Sequence, residues 1–402
     1  MVKKILKSYD YTLIITIILL CTFGLIMIYS ASMAWTVQWY NKPSDFYYQR
    51  QKLFLIAALF VFIFCAIIPY KIMQFTKWFL APMVCLSILG LLGLDVFGHV
   101  AGGAQSWYQI GPFKLQPSEF VKLTMIIYLA AVYAKKQRYI NQFNKGVLPP
   151  LVLLFIVCGL IILQPDYGTA TIIAAIAVTI IFASGMNFKS ISKLMIMTLI
   201  ILLPLVFVAK DKIFSEKRMS RFTVLENPFA ADIVNKSGFH LANSYIAIGS
   251  GGINGLGLGK SIQKLGYLPE AHTDFIMAII AEELGIWGVS FVIILLAYLV
   301  LRGIYTGIKC KDPFGSLLAI GISSMIGIQS FINLGGISGI IPLTGVTLPF
   351  ISYGGSSLLV LAAATGILVN VSMFVKFEKK YSNKQEQVNK KQKTQDGKVF
   401  YI

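Results

Sequence analysis

The chain has 402 residues, of which 56% are hydrophobic and only 13% charged, with a mean hydropathy of +0.74; an ordinary soluble domain is about one quarter charged, so a water-soluble globular fold is excluded. The formal charge of +18 comes from 35 Lys and Arg against 17 Asp and Glu, but the basic residues fall in short connections and the terminal tail rather than on one face, a pattern of topology determinants and not of nucleic-acid binding. The five cysteines, Cys21, Cys65, Cys85, Cys158 and Cys310, form no close pair and lie mostly in apolar runs, so neither a disulfide nor a thiolate metal site is expected.

In chain order, apolar runs between polar breaks predict spans near 11–33, 53–69, 77–97, 118–134, 147–163, 168–186, 191–209, 274–301, 315–334 and 354–375. Runs of this length cross the hydrocarbon core as helices, whereas a barrel would show short alternating segments. The expected fold class is therefore all-α: a polytopic integral membrane protein of about ten transmembrane helices. Lys3, Lys4 and Lys7 precede the first run, which is longer than the h-region of a signal peptide, so a retained first span is expected. With the N-terminus cytoplasmic, the inner segments collect Lys71 and Lys77, Lys135 to Lys145, Lys189 and Lys193, Arg302 to Lys311 and the tail. The outer turns around Gln164 and Gly339 carry no Lys or Arg, as the positive-inside rule requires.

One large extracytoplasmic loop, about 210–273, separates the seventh and eighth spans. Residues 1–377 thus form one membrane domain, and 378–402 a basic cytoplasmic tail expected to be disordered near anionic lipid. Within the loop, the Gly-rich stretch from Gly249 to Gly259 superficially resembles a phosphate cradle. No strand precedes it, so tight backbone turns are the better explanation. The pairs Gln116-Pro117 and Gln164-Pro165 are too short to establish an internal repeat.

Ionisable side chains inside membrane spans are costly and therefore mark candidate sites. Asp10 and Asp95 lie at span edges and need no role. Glu119 and Lys122, three residues apart, share a helix face and either neutralise each other or serve a common neighbour. Asp166 lies in the outer turn between the fifth and sixth spans. Asp274 follows Pro269, Glu270, Ala271, His272 and Thr273 where the outer loop becomes the eighth span. A helix N-terminus favours an ionised carboxylate there; it is either a simple cap or, with Thr273 as cap, free to face a cavity. A free carboxylate can take a proton from a hydroxyl or hold a divalent cation. Arg218, Arg221, Lys260 and Lys264 in the outer loop supply countercharge suited to a pyrophosphate, or are solvated surface residues. Trp107 stacks on sugar or anchors the interface.

The string from Gly257 to Ile276, GLGKSIQKLGYLPEAHTDFI, followed by Glu282-Glu283-Leu284-Gly285, resembles the SEDS family (shape, elongation, division and sporulation). Gln116-Pro117-Ser118-Glu119 with Lys122, Gln164-Pro165-Asp166-Tyr167-Gly168-Thr169, and Leu348-Pro349-Phe350-Ile351-Ser352-Tyr353-Gly354-Gly355-Ser356-Ser357 extend the likeness from the first span to the tenth. The Gln263 to His272 stretch and Thr347-Leu348-Pro349 resemble the division branch more than the elongation branch. Tyr167 and Met277 are mild departures.

The resemblance implies a peptidoglycan glycosyltransferase that polymerises lipid II into glycan strands and releases undecaprenyl pyrophosphate, on the outer face of a bacterial cytoplasmic membrane at the division septum. It implies Asp274 as the catalytic aspartate, with Mg or Mn as a divalent cation and no organic cofactor. Arg218, Arg221, Lys122, Lys260 and Lys264 are then expected to meet the pyrophosphate. Glu119, Asp166, His272, Glu270, Trp107, Gln116 and Ser356 are expected to shape the cavity. The expected partners are lipid II, the nascent glycan strand, a class B penicillin-binding transpeptidase, other divisome proteins and membrane lipid. Two rival functions remain at this point: a lipid II flippase and a non-catalytic divisome scaffold. Glu282 and Glu283 leave room for the flippase, since a continuous helix sets them about 12 Å deeper than Asp274.

Overall fold

The computed structural model describes residues 2–101, 104–111, 113–137, 140, 142, 148–196, 223–225, 227–230 and 238–382. After a short α1 (Val2–Leu6) come the long α2 (Tyr11–Tyr40) and α3 (Phe46–Ile67). The third span is built from a π turn running into α4 (Ala81–Leu92) and α5 (Leu94–Phe97). Then follow α6 (Pro117–Lys135), α7 (Leu148–Leu163), α8 (Tyr167–Ala183), α9 (Phe239–Gly251), α10 (Ile276–Lys309), α11 (Pro313–Ile337) and α12 (Gly355–Phe377).

Helix starts follow local chemistry. Pro117 and Pro313 occupy the first turns of α6 and α11, where a missing N–H costs nothing. Asp166 and Asp312 cap α8 and α11 by accepting from Thr169 N and Gly315 N.

Seven helices among the described residues are long and apolar enough to span a membrane, and α7 and α8 are shorter apolar helices. They correspond to nine of the ten expected spans; of the seventh, 191–209, only 191–196 is described, and it is helical. The chain is a multi-pass membrane protein. α6, α11 and α12 are its most buried spans, whereas Phe60 and Phe64 on α3 and Ile294 and Leu301 on α10 are exposed apolar residues that lipid covers.

The all-α expectation needs one local amendment. Between the third and fourth spans, β1 (His99–Ala101), β2 (Ala104–Ile110) and β3 (Phe113–Leu115) form a small antiparallel sheet in the order β1-β2-β3. Asp10 also has a clear structural role. Its carboxylate is buried, pairs with Arg302 at 2.8 Å and Lys376 at 3.0 Å, and so fastens α2, α10 and α12 at the inner end expected from charge. Burial alone would raise the Asp10 carboxyl, but hydrogen bonds from Thr12, Lys376 and Arg302 outweigh it and hold the group below the usual carboxylate value.

Candidate active site

The helix that follows Asp274 is not continuous. At Gly285 the backbone of α10 turns to φ 60°, ψ −153°, and the Gly-rich stretch packs into the break. Leu256 and Gly257 donate backbone N–H bonds to the carbonyls of Glu282 and Glu283, each at 2.9 Å, and Ile286 N donates to Ile253 O at 3.2 Å. A Cβ on Gly251 would lie 1.9 Å from Ala281 O, and one on Gly255 2.3 Å from Glu283 O. Close backbone approach thus explains these glycines, and the phosphate-cradle resemblance is only superficial.

The helix is regular from Ile276 past Glu282 and Glu283, so their depth relative to Asp274 stands, and it is their partners that correct the expectation for them. Both are fully buried, and loop residues take up their carboxylate oxygens. Glu282 accepts from the Ser261 hydroxyl and from Ile262 N at 2.9 Å. Glu283 accepts from Ser30 at 2.7 Å and pairs with Lys264 at 2.7 Å. These carboxylates lock the loop to α2 and α10, a structural use of both groups. Lys264 is correspondingly 1% exposed and committed to Glu283 and Ser30, so it is no open countercharge for pyrophosphate.

The locked loop delivers Asp274 to a cleft. Asn333, Ile337, Leu343, Thr344 and Gly345 line it with Asp274, and its cavity volume is only about 10 Å³. That is below the roughly 300 Å³ of common ligand pockets, so a disaccharide needs the walls to part. The Asp274 turn is held from behind. Ser352 Oγ donates to Thr273 O at 2.6 Å, Tyr353 N to His272 O at 2.9 Å, and Asn333 Nδ2 to both Asp274 O at 2.9 Å and Val346 O at 2.7 Å.

Neither capping option holds at α10. Phe275 is the N-cap, with no side-chain cap bond. Thr273 Oγ1 instead donates to Glu270 O at 2.9 Å. The Asp274 carboxylate is therefore free of capping and partly exposed at the cleft. Its protonation also differs from the expectation of a firmly ionised group: burial, and then the charge of Glu270, push it up to about 7.

A second polar branch reaches the same wall. Lys122, buried, pairs with Glu119 at 2.8 Å and donates to Gln329 Oε1 at 3.1 Å, so the neutralising pair foreseen on α6 exists. Gln329 Nε2 donates to Thr347 O at 3.1 Å. Gln329 and Asn333, four residues apart on one face of α11, thus brace the 346–347 backbone between Lys122 and Asp274. Asp166 accepts from Gln116 Nε2 at 3.2 Å, Ser118 Oγ at 3.4 Å and Thr169 N at 3.1 Å. Gln116 N donates to Ser356 Oγ at 3.2 Å. The Gln116, Asp166 and Ser356 group therefore ties α6, α8 and α12 together.

The remaining candidates are more dispersed. His272 is buried against Tyr47, with ring centroids 4.2 Å apart, and burial pushes it down to about 4, so it stays neutral at physiological pH. Glu270 and Lys260 are exposed. Trp107 lies on β2 opposite His99, in the hairpin and not in the cleft lining. Arg218 and Arg221 lie outside the described residues.

Residues 11–377 match the model of the FtsW/RodA/SpoVE family, described as cell cycle protein. The chain belongs to this family. An FtsW/RodA/SpoVE relative from Bacillus subtilis (strain 168), named probable peptidoglycan glycosyltransferase FtsW, is 57% identical over 388 residues, 96% of each chain. The crystal structure of the Thermus thermophilus rod shape determining protein RodA superposes with a TM-score of 0.63 at 25% identity, over 90% of this chain and 96% of its own. A chain from work on structural coordination of polymerization and crosslinking by a peptidoglycan synthase complex matches with a TM-score of 0.70 at 24% identity, over 91% and 98%, which shows the shared fold.

Within this FtsW/RodA/SpoVE fold, charge alone did not reveal Gln329 and Asn333. Buried amides in an apolar span carry the same cost argument as buried charges, and applied to 315–334 that argument singles out both. For a divalent cation, the described residues contain no group of three His, Cys, Asp or Glu that could hold a metal. A single cleft carboxylate suits an ion like Mg²⁺, which keeps several waters and shares its shell with a substrate phosphate.

Proposed function

We propose that this chain is a peptidoglycan glycosyltransferase that polymerises lipid II on the outer face of the cytoplasmic membrane during cell division. The observation that carries the reading is the uncapped Asp274 carboxylate, raised to about 7 in a cleft at the loop-to-helix junction. A base with a pKa near the working pH is both available and strong enough to take a hydroxyl proton. The 57% identity to a chain named a probable peptidoglycan glycosyltransferase FtsW supports the substrate and the division role.

In the reaction, Asp274 accepts the proton of the N-acetylglucosamine 4-hydroxyl. That oxygen forms a bond to the anomeric carbon of the donor's N-acetylmuramic acid, and the bond to undecaprenyl pyrophosphate breaks with its electron pair on the leaving oxygen. Lys260, with Arg218 and Arg221, is the proposed countercharge; Lys122, expected among them, is buried and committed to Glu119 and Gln329, and so braces the site like Lys264. A divalent cation, Mg or Mn, held by Asp274 would neutralise further pyrophosphate charge when bound. The likeness to a synthase complex that couples polymerization and crosslinking supports a transpeptidase partner of the class B penicillin-binding type. The lysine-rich inner connections support cytoplasmic termini and an outward site.

The test is reconstitution into vesicles with fluorescent lipid II and Mg²⁺, with and without the transpeptidase. Glycan ladders are expected. Lipid II scrambling without ladders would establish a flippase instead, and neither activity would leave a scaffold.

A further inference from the structure

Asn333 is 5% exposed, lines the Asp274 cleft and spends both amide hydrogens on the carbonyls of Asp274 and Val346. Its Oδ1 is buried and has no hydrogen-bond partner among the described residues. The amide cannot be turned over: exchanging O and N would set the oxygen against two carbonyl oxygens and lose both bonds. A buried acceptor held this way is costly until a donor arrives, so the site is short of one O–H or N–H. The bond to the Asp274 carbonyl and the shared lining set Asn333 in the same cleft as the Asp274 carboxylate.

We propose that Asn333 Oδ1 is a specificity-determining acceptor that binds the sugar hydroxyl adjacent to the attacking one, the 3-hydroxyl of the acceptor. The inference rests on the glycosyltransferase reading of the same cleft. With Asp274 on the 4-hydroxyl, the vicinal 3-hydroxyl is the nearest donor on the sugar. N-acetylglucosamine carries a free 3-hydroxyl, whereas N-acetylmuramic acid has that oxygen tied up as a lactyl ether. An acceptor lacking that hydroxyl therefore leaves Oδ1 unpaired. Sites built to bond a hydroxyl reject analogues lacking it far more strongly than apolar pockets reject a methylene. Asn333 thus selects an acceptor whose terminal N-acetylglucosamine carries a free 3-hydroxyl.

The experiment follows single additions by the full-length protein, from labelled lipid II onto an acceptor ending in N-acetylglucosamine or its 3-deoxy counterpart. For wild type, kcat/KM is expected to be at least about tenfold lower with the 3-deoxy acceptor, the loss typical of a buried acceptor left without its donor. In Asn333→Ala both acceptors slow through loss of the two carbonyl bonds, but that loss cancels in their ratio. The ratio is expected to fall below about threefold, within the usual additivity error of such comparisons. Equal use of the two acceptors by wild type overturns the proposal, and this holds even if Asn333→Ala cannot be recovered folded. An unchanged ratio in Asn333→Ala also overturns it. If wild type extends neither acceptor, the glycosyltransferase reading itself fails.

Discussion

At Asp274 the fold holds a carboxyl in a state that costs stability and suits the proposed chemistry. In the unfolded chain its pKa is near 3.8, and in the fold burial and Glu270 raise it to about 7. As pH rises from about 4 to about 7, the unfolded chain releases a proton that the folded chain retains, so stability falls across that window. Asp274→Asn is therefore expected to raise the thermal midpoint at pH 8 and to leave it unchanged at pH 4, measured by a thermal scan in detergent; equal shifts at both values would contradict the assignment. Glu270→Gln removes a charge that raises the Asp274 pKa. The acid limb of kcat/KM, expected near pH 7, should then move to lower pH. The sequence located Asp274 but misjudged its protonation, because a helix-terminus argument is local, whereas burial and the Glu270 charge depend on the folded loop.

The break in α10 organises the elements around the site. Loop residues Ser261 to Lys264 grip Glu282 and Glu283, and Gly251 and Gly255 let the backbone reach the helix. Gly255→Ala places a Cβ 2.3 Å from Glu283 O at φ 72°, and is expected to cost about 3 kcal/mol or more. Gly259, at φ 80° with no neighbour within 4 Å, should cost only about 1 kcal/mol on the same change. Comparable losses of folded yield would contradict this difference.

Lys264→Met leaves Glu283 buried without its cation and should destabilise by about 3–5 kcal/mol, and adding Glu283→Gln should recover most of that loss. Recovery of stability together with polymerisation would show that Lys264 is a structural cation. Stability without polymerisation would restore it as a pyrophosphate ligand. Spacing within the sequence marked Lys264 only as a basic residue near Asp274; its partner lies nineteen positions ahead and becomes adjacent through the loop folding back onto α10.

For the whole molecule, hydropathy read the helical membrane fold well because backbone satisfaction in lipid leaves so few alternatives. The small sheet at His99–Leu115 escaped it, since its strands are short and carry no apolar alternation. The Asp10, Arg302 and Lys376 tie also escaped it, because it joins three distant helix ends. At the opposite end, α6, α8, α10, α11 and α12 bring Lys122, Asp166, Asp274, Gln329 and Ser356 into linked polar groups. Polymerisation should therefore depend on the entire bundle, with one carboxylate accepting the proton. The direct measurement is the initial rate of undecaprenyl pyrophosphate release from labelled lipid II by the purified chain with its transpeptidase, wild type against Asp274→Asn. Loss of a positioned general base is expected to slow the rate by about 10²-fold or more, with folding intact by the thermal scan. A folded Asp274→Asn protein that polymerises within a few-fold of wild type would contradict the account.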